Sequence, residues 1–316
     1  MSKVYKIILK PRSFFGHIFT SDTIFGAVSW AVRDLYGEAE LENLLDQFND
    51  NPPFLLSSLM PQGYVPRPVV PSERKDYKND IPKKEHCKKI AEMKKRKKME
   101  WIPFDIFRSH QNEYDDESVM DEFDNLSGNE LRNNEADITR NAISRENFRA
   151  LEGALFTDSF LMIDYDLSLF VRIFDDKYGA QWLNEIFENI SKTGIGKDKS
   201  VGRGAFEISV NDIDEDEKDV FEYTADHFMS LSLCAGNNLN PLSYTTLTKY
   251  GKLDGEFSQS GIFSKKPVVF YRNGSTFVNQ NLPVCGAMIK NIHNDERIMQ
   301  YGYAFPIYFN MKGKGS

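Results

Sequence analysis

Apolar positions recur with either a two-residue or a helical period over most of the chain, and the breaks in that rhythm divide it. Val4 to Leu9 is a short apolar run with β-branched and aromatic members, a buried strand that Pro11 ends. Thr20-Ser21-Asp22 then offers a helix N-cap. Ile24, Phe25, Val28, Ala31, Val32 and Leu35 follow at helical spacing up to Gly37. A second helical stretch, Glu40 to Phe48, ends at Asn49-Asp50-Asn51-Pro52-Pro53. Strands are predicted next at Leu155-Phe156 and Phe160 to Ile163. After a turn at Asp164-Tyr165-Asp166, Leu167, Leu169, Val171 and Ile173 alternate with their neighbours as another strand. Trp182, Leu183, Ile186, Phe187 and Ile190 form one stripe of a helix, and Phe206, Ile208 and Val210 alternate beyond it. The order is strand–helix–strand–strand–helix–strand. That is the ferredoxin-like, split βαβ arrangement of an α+β fold, which also underlies RRM-type RNA-binding domains.

Residues from about 50 to 147 interrupt this order and do not read as a compact core. Pro61, Pro66, Pro68 and Pro71 favour extended chain. A lysine-rich block spans residues 83–98, and an acidic block runs from Glu113 to Asp124. Like charges in a run repel one another, so the region is expected to be a solvated insertion, an arm or hairpin in part. Order resumes at Thr139 to Arg145. The acidic run Asp212 to Glu222 is expected to be a linker. Beyond it Phe228 to Leu233, Tyr244 to Tyr250, Val268 to Tyr271 and Ala304 to Phe309 are strand-like, giving a second, strand-rich half from about residue 224.

At 316 residues the chain is long enough for about two domains. Its 41% hydrophobic and 13% aromatic content excludes general disorder. The formal net charge of −8 weighs against nucleic-acid binding unless positive charge is local, and here charge is segregated into blocks. Cys87, Cys234 and Cys285 show neither a disulfide framework nor metal spacing, and the five histidines are scattered. With no signal peptide and no apolar run approaching the ~18 residues of a membrane span, the expectation is a cytoplasmic protein that contacts no membrane.

Between the last helix and strand of the first half lies Thr193-Gly194-Ile195-Gly196-Lys197-Asp198-Lys199-Ser200-Val201-Gly202-Arg203-Gly204. Glycines allow φ > 0 and close approach to the main chain, successive N–H groups make an anion-binding concavity, and lysine and arginine add charge. A P-loop, G-x-x-x-x-G-K-S/T, is excluded because Ser191 stands five before Gly196 and Asp198 follows Lys197. The dinucleotide fingerprint is excluded because Lys199 stands where its last glycine would be. A phosphate loop and a plain helix–strand connector both remain open on composition.

Further stretches stand out with this loop: Ser21-Asp22-Thr23-Ile24-Phe25-Gly26-Ala27, Pro66-Arg67-Pro68, Ser260-Gly261-Ile262-Phe263, Gly274-Ser275-Thr276-Phe277 and Tyr301 to Phe309. Together they resemble the RAMP superfamily of CRISPR proteins, and within it the fourth-subunit family of the type III-A (Csm) effector complex. The resemblance implies two RRM-like domains, residues 1–211 with the insertion and 224–316. It implies a non-catalytic subunit that holds the 5′ tag of the guide crRNA and bridges the large polymerase-palm subunit to the backbone filament. An arm of the first half would splay the guide. No cofactor and no metal are implied. The RNA-binding residues expected on these grounds are His17, Ser21, Arg67, Arg140, Arg145, Gly194, Gly196, Lys197, Lys199, Gly202, Arg203, Gly204, Ser260, Lys265, Lys266, Gly274 and Ser275. Two rivals stand beside this reading. One is a metal-independent RAMP endoribonuclease with His17 as general acid–base, for which no second histidine or tyrosine–lysine set lies nearby in sequence. The other is the equivalent 5′-tag subunit of a type III-B complex.

Overall fold

The computed structural model describes residues 2–71, 94, 96, 98–126, 131, 133–196, 199, 202–253 and 264–313. The first half is built on an antiparallel sheet. Strand β1 (Lys3–Pro11) lies between β8 (Leu167–Ile173) and β9 (Phe206–Asp212), and β2 (Phe54–Leu56) pairs with the far edge of β8. The short β3 (Met60–Pro61) also pairs with β8. Counted in chain order, the four main strands stand 2-3-1-4. Register places Tyr5 opposite Val171 and Ile7 opposite Leu169, so these side chains share one face. Helices α1 (Ser21–Tyr36) and α5 (Ala180–Thr193) pack together there, and α2 (Glu38–Asp50) packs on α1. The stripe Leu183, Ile186, Phe187 and Ile190 is buried, as its spacing requires.

The second strand of this sheet is not the expected one. Phe54-Leu55-Leu56 fills that place, fully buried, and Met60 and Val65 are buried after it, so the insertion begins well after residue 50. The segment Ala150–Ile163 instead forms β7 of a two-stranded hairpin with β6 (Asn133–Ile143), exposed along most of its length. Residues around the acidic block are also ordered. Strand β4 (Tyr64–Pro66) pairs with β5 (Trp101–Pro103), which leads into α3 (Phe104–His110) and α4 (Asp116–Asn125). Burial of Ile102, Phe107, Tyr114 and Val119 outweighs the charge of the block, which stays on the outer face of α4. The Asp115 carboxylate caps α4 by accepting from the Ser118 N–H. Most of the lysine block lies outside the described residues.

The run expected to be a linker is helix α6 (Glu215–Glu222), with a capping box between Asp214 and Glu217 and with Val220 and Phe221 buried. It covers the opposite face of the first sheet, where the Phe170 and Phe221 rings lie 4.7 Å apart and Lys6 bonds Glu217 at 2.6 Å. Beyond it a second antiparallel sheet runs β11 (Pro241–Ser243), β14 (Thr276–Val278), β10 (His227–Ser230), β15 (Pro306–Phe309), beside a ribbon of β12 (Thr246–Lys249) and β13 (Val268–Tyr271). No helix occurs in this half among the described residues. Its apolar residues enter the core of the first half. Tyr301 stacks on Phe25 at 5.0 Å and its hydroxyl accepts from the Leu56 N–H at 2.9 Å, while the Tyr303 hydroxyl donates to the Phe48 carbonyl. One hydrophobic cluster thus spans both halves. No helix among the described residues is long and apolar enough to cross a membrane.

Candidate nucleic-acid interface

The glycine loop closes on itself before it meets anything else. Gly194 ends α5 at φ 75°, and its N–H donates to the Ile190 carbonyl at 2.8 Å. Gly204, at φ 65°, lies so near the chain that a Cβ there would stand 2.0 Å from the Ile195 carbonyl oxygen. A Cβ on Gly196 would enter the Phe19 ring, and one on Gly194 would meet the Arg203 carbonyl at 2.9 Å. Three of the loop's four glycines are therefore required by its packing, and only Gly202 of these, at φ 81°, faces open space. The loop docks on the β1–α1 connection, where the Gly204 N–H donates to the Phe14 carbonyl at 3.0 Å. The other side of that connection pairs with the hairpin, since Phe15 and Leu161 exchange both main-chain bonds.

This arrangement carries the loop to the foot of the hairpin. The Arg203 guanidinium lies over the buried Phe160 ring at 3.5 Å from its centroid, and its Nη1 is buried with no hydrogen-bond partner among the described residues. Arg140 reaches the same ring at 5.6 Å, with its Nε 3.4 Å from Asp158. Two guanidiniums thus meet one aromatic ring, with the Asp158 carboxylate beside Arg140 and with Lys199 in the same loop. His17 joins from the β1–α1 connection, its ring edge-on to Phe19 at 5.2 Å. The residue is exposed, yet desolvation of its ring by the neighbouring chain first, and then the charge of Lys249, lower its pKa below the ordinary histidine value, against a smaller opposing pull from Asp22.

Other expected residues lie elsewhere or serve the fold. Ser21 is fully buried and its hydroxyl accepts from the Leu233 N–H at 3.1 Å, which joins the two halves and leaves no surface for a ligand. Ser275 is buried as well, its hydroxyl donating to the Thr245 carbonyl. Arg67 is bidentate to Asp116, with Nε to Oδ1 at 2.8 Å, so its charge is matched. It sits against Gly274, whose φ of 87° lets the chain pass where a Cβ would meet the Arg67 carbonyl at 2.7 Å. Arg145 is exposed at the hairpin tip. Lys266 is exposed, and its Nζ donates to the Asn291 carbonyl. Lys265 donates to the Met299 carbonyl, and burial lowers its pKa. Lys197 and Ser260 lie outside the described residues.

Sequence reasoning missed the ion pair that holds this region to the second half. Lys249 Nζ donates to Thr20 at 2.7 Å, to both Asp22 oxygens at 2.7 Å and to Thr23 at 3.0 Å, and Gln300 adds a bond to Asp22 at 2.6 Å. The partners are more than two hundred residues apart, so no local pattern announces them. Phe160 was visible only as a strand residue.

No protein-family model matches the sequence, and no curated protein is similar to it in sequence. Solved structures do match in fold. A chain of the Csm1–Csm4 cassette in complex with pppApA aligns with a TM-score of 0.61 at 15% identity, covering 98% of this chain and 99% of that one. A chain of the Csm3–Csm4 subcomplex of the type III-A CRISPR-Cas interference complex aligns at 0.58 and 15%, covering 97% and 99%. Csm4 is the component common to both assemblies. The fold is that of Csm4. The hairpin, the glycine loop and the shared core all lie within the Csm4-like alignment, which spans nearly the whole chain.

Proposed function

We propose that the chain is a non-catalytic RNA-binding subunit of a type III-A interference complex, holding the 5′ tag of the crRNA. In this reading it bridges the large polymerase-palm subunit and the backbone filament in the cytoplasm. The observation that carries the proposal is the convergence of Arg203 and Arg140 on Phe160 where the glycine loop meets the hairpin. Guanidinium groups held in place by an aromatic ring accept a phosphate at their edges, and here the buried Phe160 ring orients them instead of taking a base itself. The strand order 2-3-1-4 with two packed helices supports a ferredoxin-like, RRM-like first half. For the second half the same reading rests on its sheet alone, whose uncovered side is met by the first half instead of by helices of its own. The Csm1- and Csm3-containing neighbours support the two partners.

The non-catalytic reading draws support from His17, whose surroundings are an aromatic ring and the ion pair of Lys249 with Asp22. A purified chain incubated without metal with labelled guide precursor should leave it intact. A discrete product that disappears on His17→Ala would establish the endoribonuclease reading instead. For binding, Lys199→Ala with Arg203→Ala should weaken capture of a tag-bearing RNA. The same pair should flatten the salt dependence, by roughly 0.7 in log–log slope for each phosphate no longer neutralised. An unchanged slope would mean that the loop touches no phosphate.

A further inference from the structure

The second half contains a charge pattern that the site above does not use. Residues 227–294 hold six basic side chains, Lys249, Lys252, Lys265, Lys266, Arg272 and Lys290, against two acidic ones, Asp254 and Glu256, in a chain of net charge −8. The β12–β13 ribbon lies inside this stretch. Its inner face is apolar, with Phe270 fully buried and Leu247 and Val268 packed beside it, and Lys249 reaches inward to Asp22. Among the described residues, its outer face carries no charged side chain. Tyr250 is 72% exposed, Val269 59% and Tyr244 51%, with Thr246 and Thr248 exposed between the tyrosines. The Tyr244 ring is held edge-on to Tyr271 at 5.0 Å, and Tyr271 in turn packs edge-on against the buried Phe277 at 5.3 Å. Rings that stand outward on a braced ribbon lose little freedom when something stacks on them.

The ribbon is also continuous with the glycine loop. Gly196 packs on Phe19, Phe19 touches His17, and Thr20, Asp22 and Thr23 bind Lys249, whose neighbour in the chain is Tyr250. We propose that the outer face of β12–β13, with Tyr244 and Tyr250 as its rings, is a stacking platform for single-stranded RNA continuing from the glycine loop. The proposal rests on the RNA-binding reading above and extends it to the second half. The positive balance of this stretch favours a polyanion over an apolar protein surface, and exposed tyrosines on a ribbon stack bases without selecting among them.

The test uses the full chain and 5′-fluorescein oligouridylates of about 4 and about 12 nucleotides, lengths that bracket a compact single-strand site. Tyr244→Ala with Tyr250→Ala should weaken binding of the long oligonucleotide on the order of tenfold and leave the short one unchanged. Tyr244→Phe with Tyr250→Phe should bind as the parent does, because the ring is kept. The salt slope should not move, because no charge is removed, whereas Arg203→Ala lowers it. Unchanged affinity for the long oligonucleotide in the alanine variant overturns the platform, as does an equal loss for both lengths. Intact RNA binding with lost association to the large or backbone subunit would also overturn it, making the face a protein interface. Failure of the underlying reading is distinguishable, since Lys199→Ala with Arg203→Ala would then bind both lengths as the parent does.

Discussion

Gly204 and Gly202 share a left-handed backbone but not a surrounding. Alanine at Gly202 meets open space and adds only the conformational cost of its φ, about 1–2 kcal/mol. At Gly204 it adds a collision with the Ile195 main chain, which cannot move without unseating the loop from Phe14. Gly204→Ala should therefore be the more destabilising by about 2 kcal/mol or more. Urea titrations read this as a lower midpoint for Gly204→Ala at an unchanged m-value. Equal losses would mean that the loop is looser than its packing requires. The loop's glycines are thus explained first by the chain's need to fold back on itself. The loop's charge, from Arg203 and Lys199, sits at the foot of the hairpin, with the Arg203 guanidinium over Phe160.

The hairpin shows which elements a sequence announces. Its foot joins the core through Phe160, Leu161 and Ile163, and its distal part is exposed, with Phe148 at φ 53° and 84% exposed near the tip. Replacing residues 139–157 by an Asn-Gly turn between Ile138 and Asp158 should cost no more than about 1–3 kcal/mol, the loss of Arg140 beside the Asp158 carboxylate, because little buried apolar surface is removed. The same change removes Arg140 and should weaken RNA binding, which calorimetry on the shortened protein would check. Helices α1 and α5 and strand β8 were legible because a full stripe or alternation survives in each. Strand β2 was not, since three apolar residues after Pro52-Pro53 are too few to show a period. Helix α4 was hidden by its acidic outer face. For α6 the signal was present, Asp214 followed three residues later by Glu217, beneath a run of charge that looked like a linker. The Arg203–Phe160 stack had no local signature, because β8 and α5 lie between its members.

Across the whole molecule, the two halves are joined through apolar packing and buried hydrogen bonds. Phe25, Phe48 and Phe54 of the first half share one cluster with Tyr301, Tyr303 and Phe305 of the second. A fragment ending at residue 223 would expose those rings and leave the Leu56 N–H without its Tyr301 acceptor, a loss of about 1–3 kcal/mol for that group alone. Such a fragment should bind a hydrophobic dye and melt without a cooperative transition. A sharp melt would show that the first half folds alone. The closing segment carries a further consequence for synthesis. The Phe48 carbonyl waits for a hydroxyl 255 residues downstream, and β10 is made well before β15, which pairs with it. The ribosome therefore delivers β1, α1 and α2 well before Tyr301 and Tyr303 can cover their inner faces. The rate of translation and the handling of the nascent chain, more than the stability of the finished fold, should set how much of it reaches assembly.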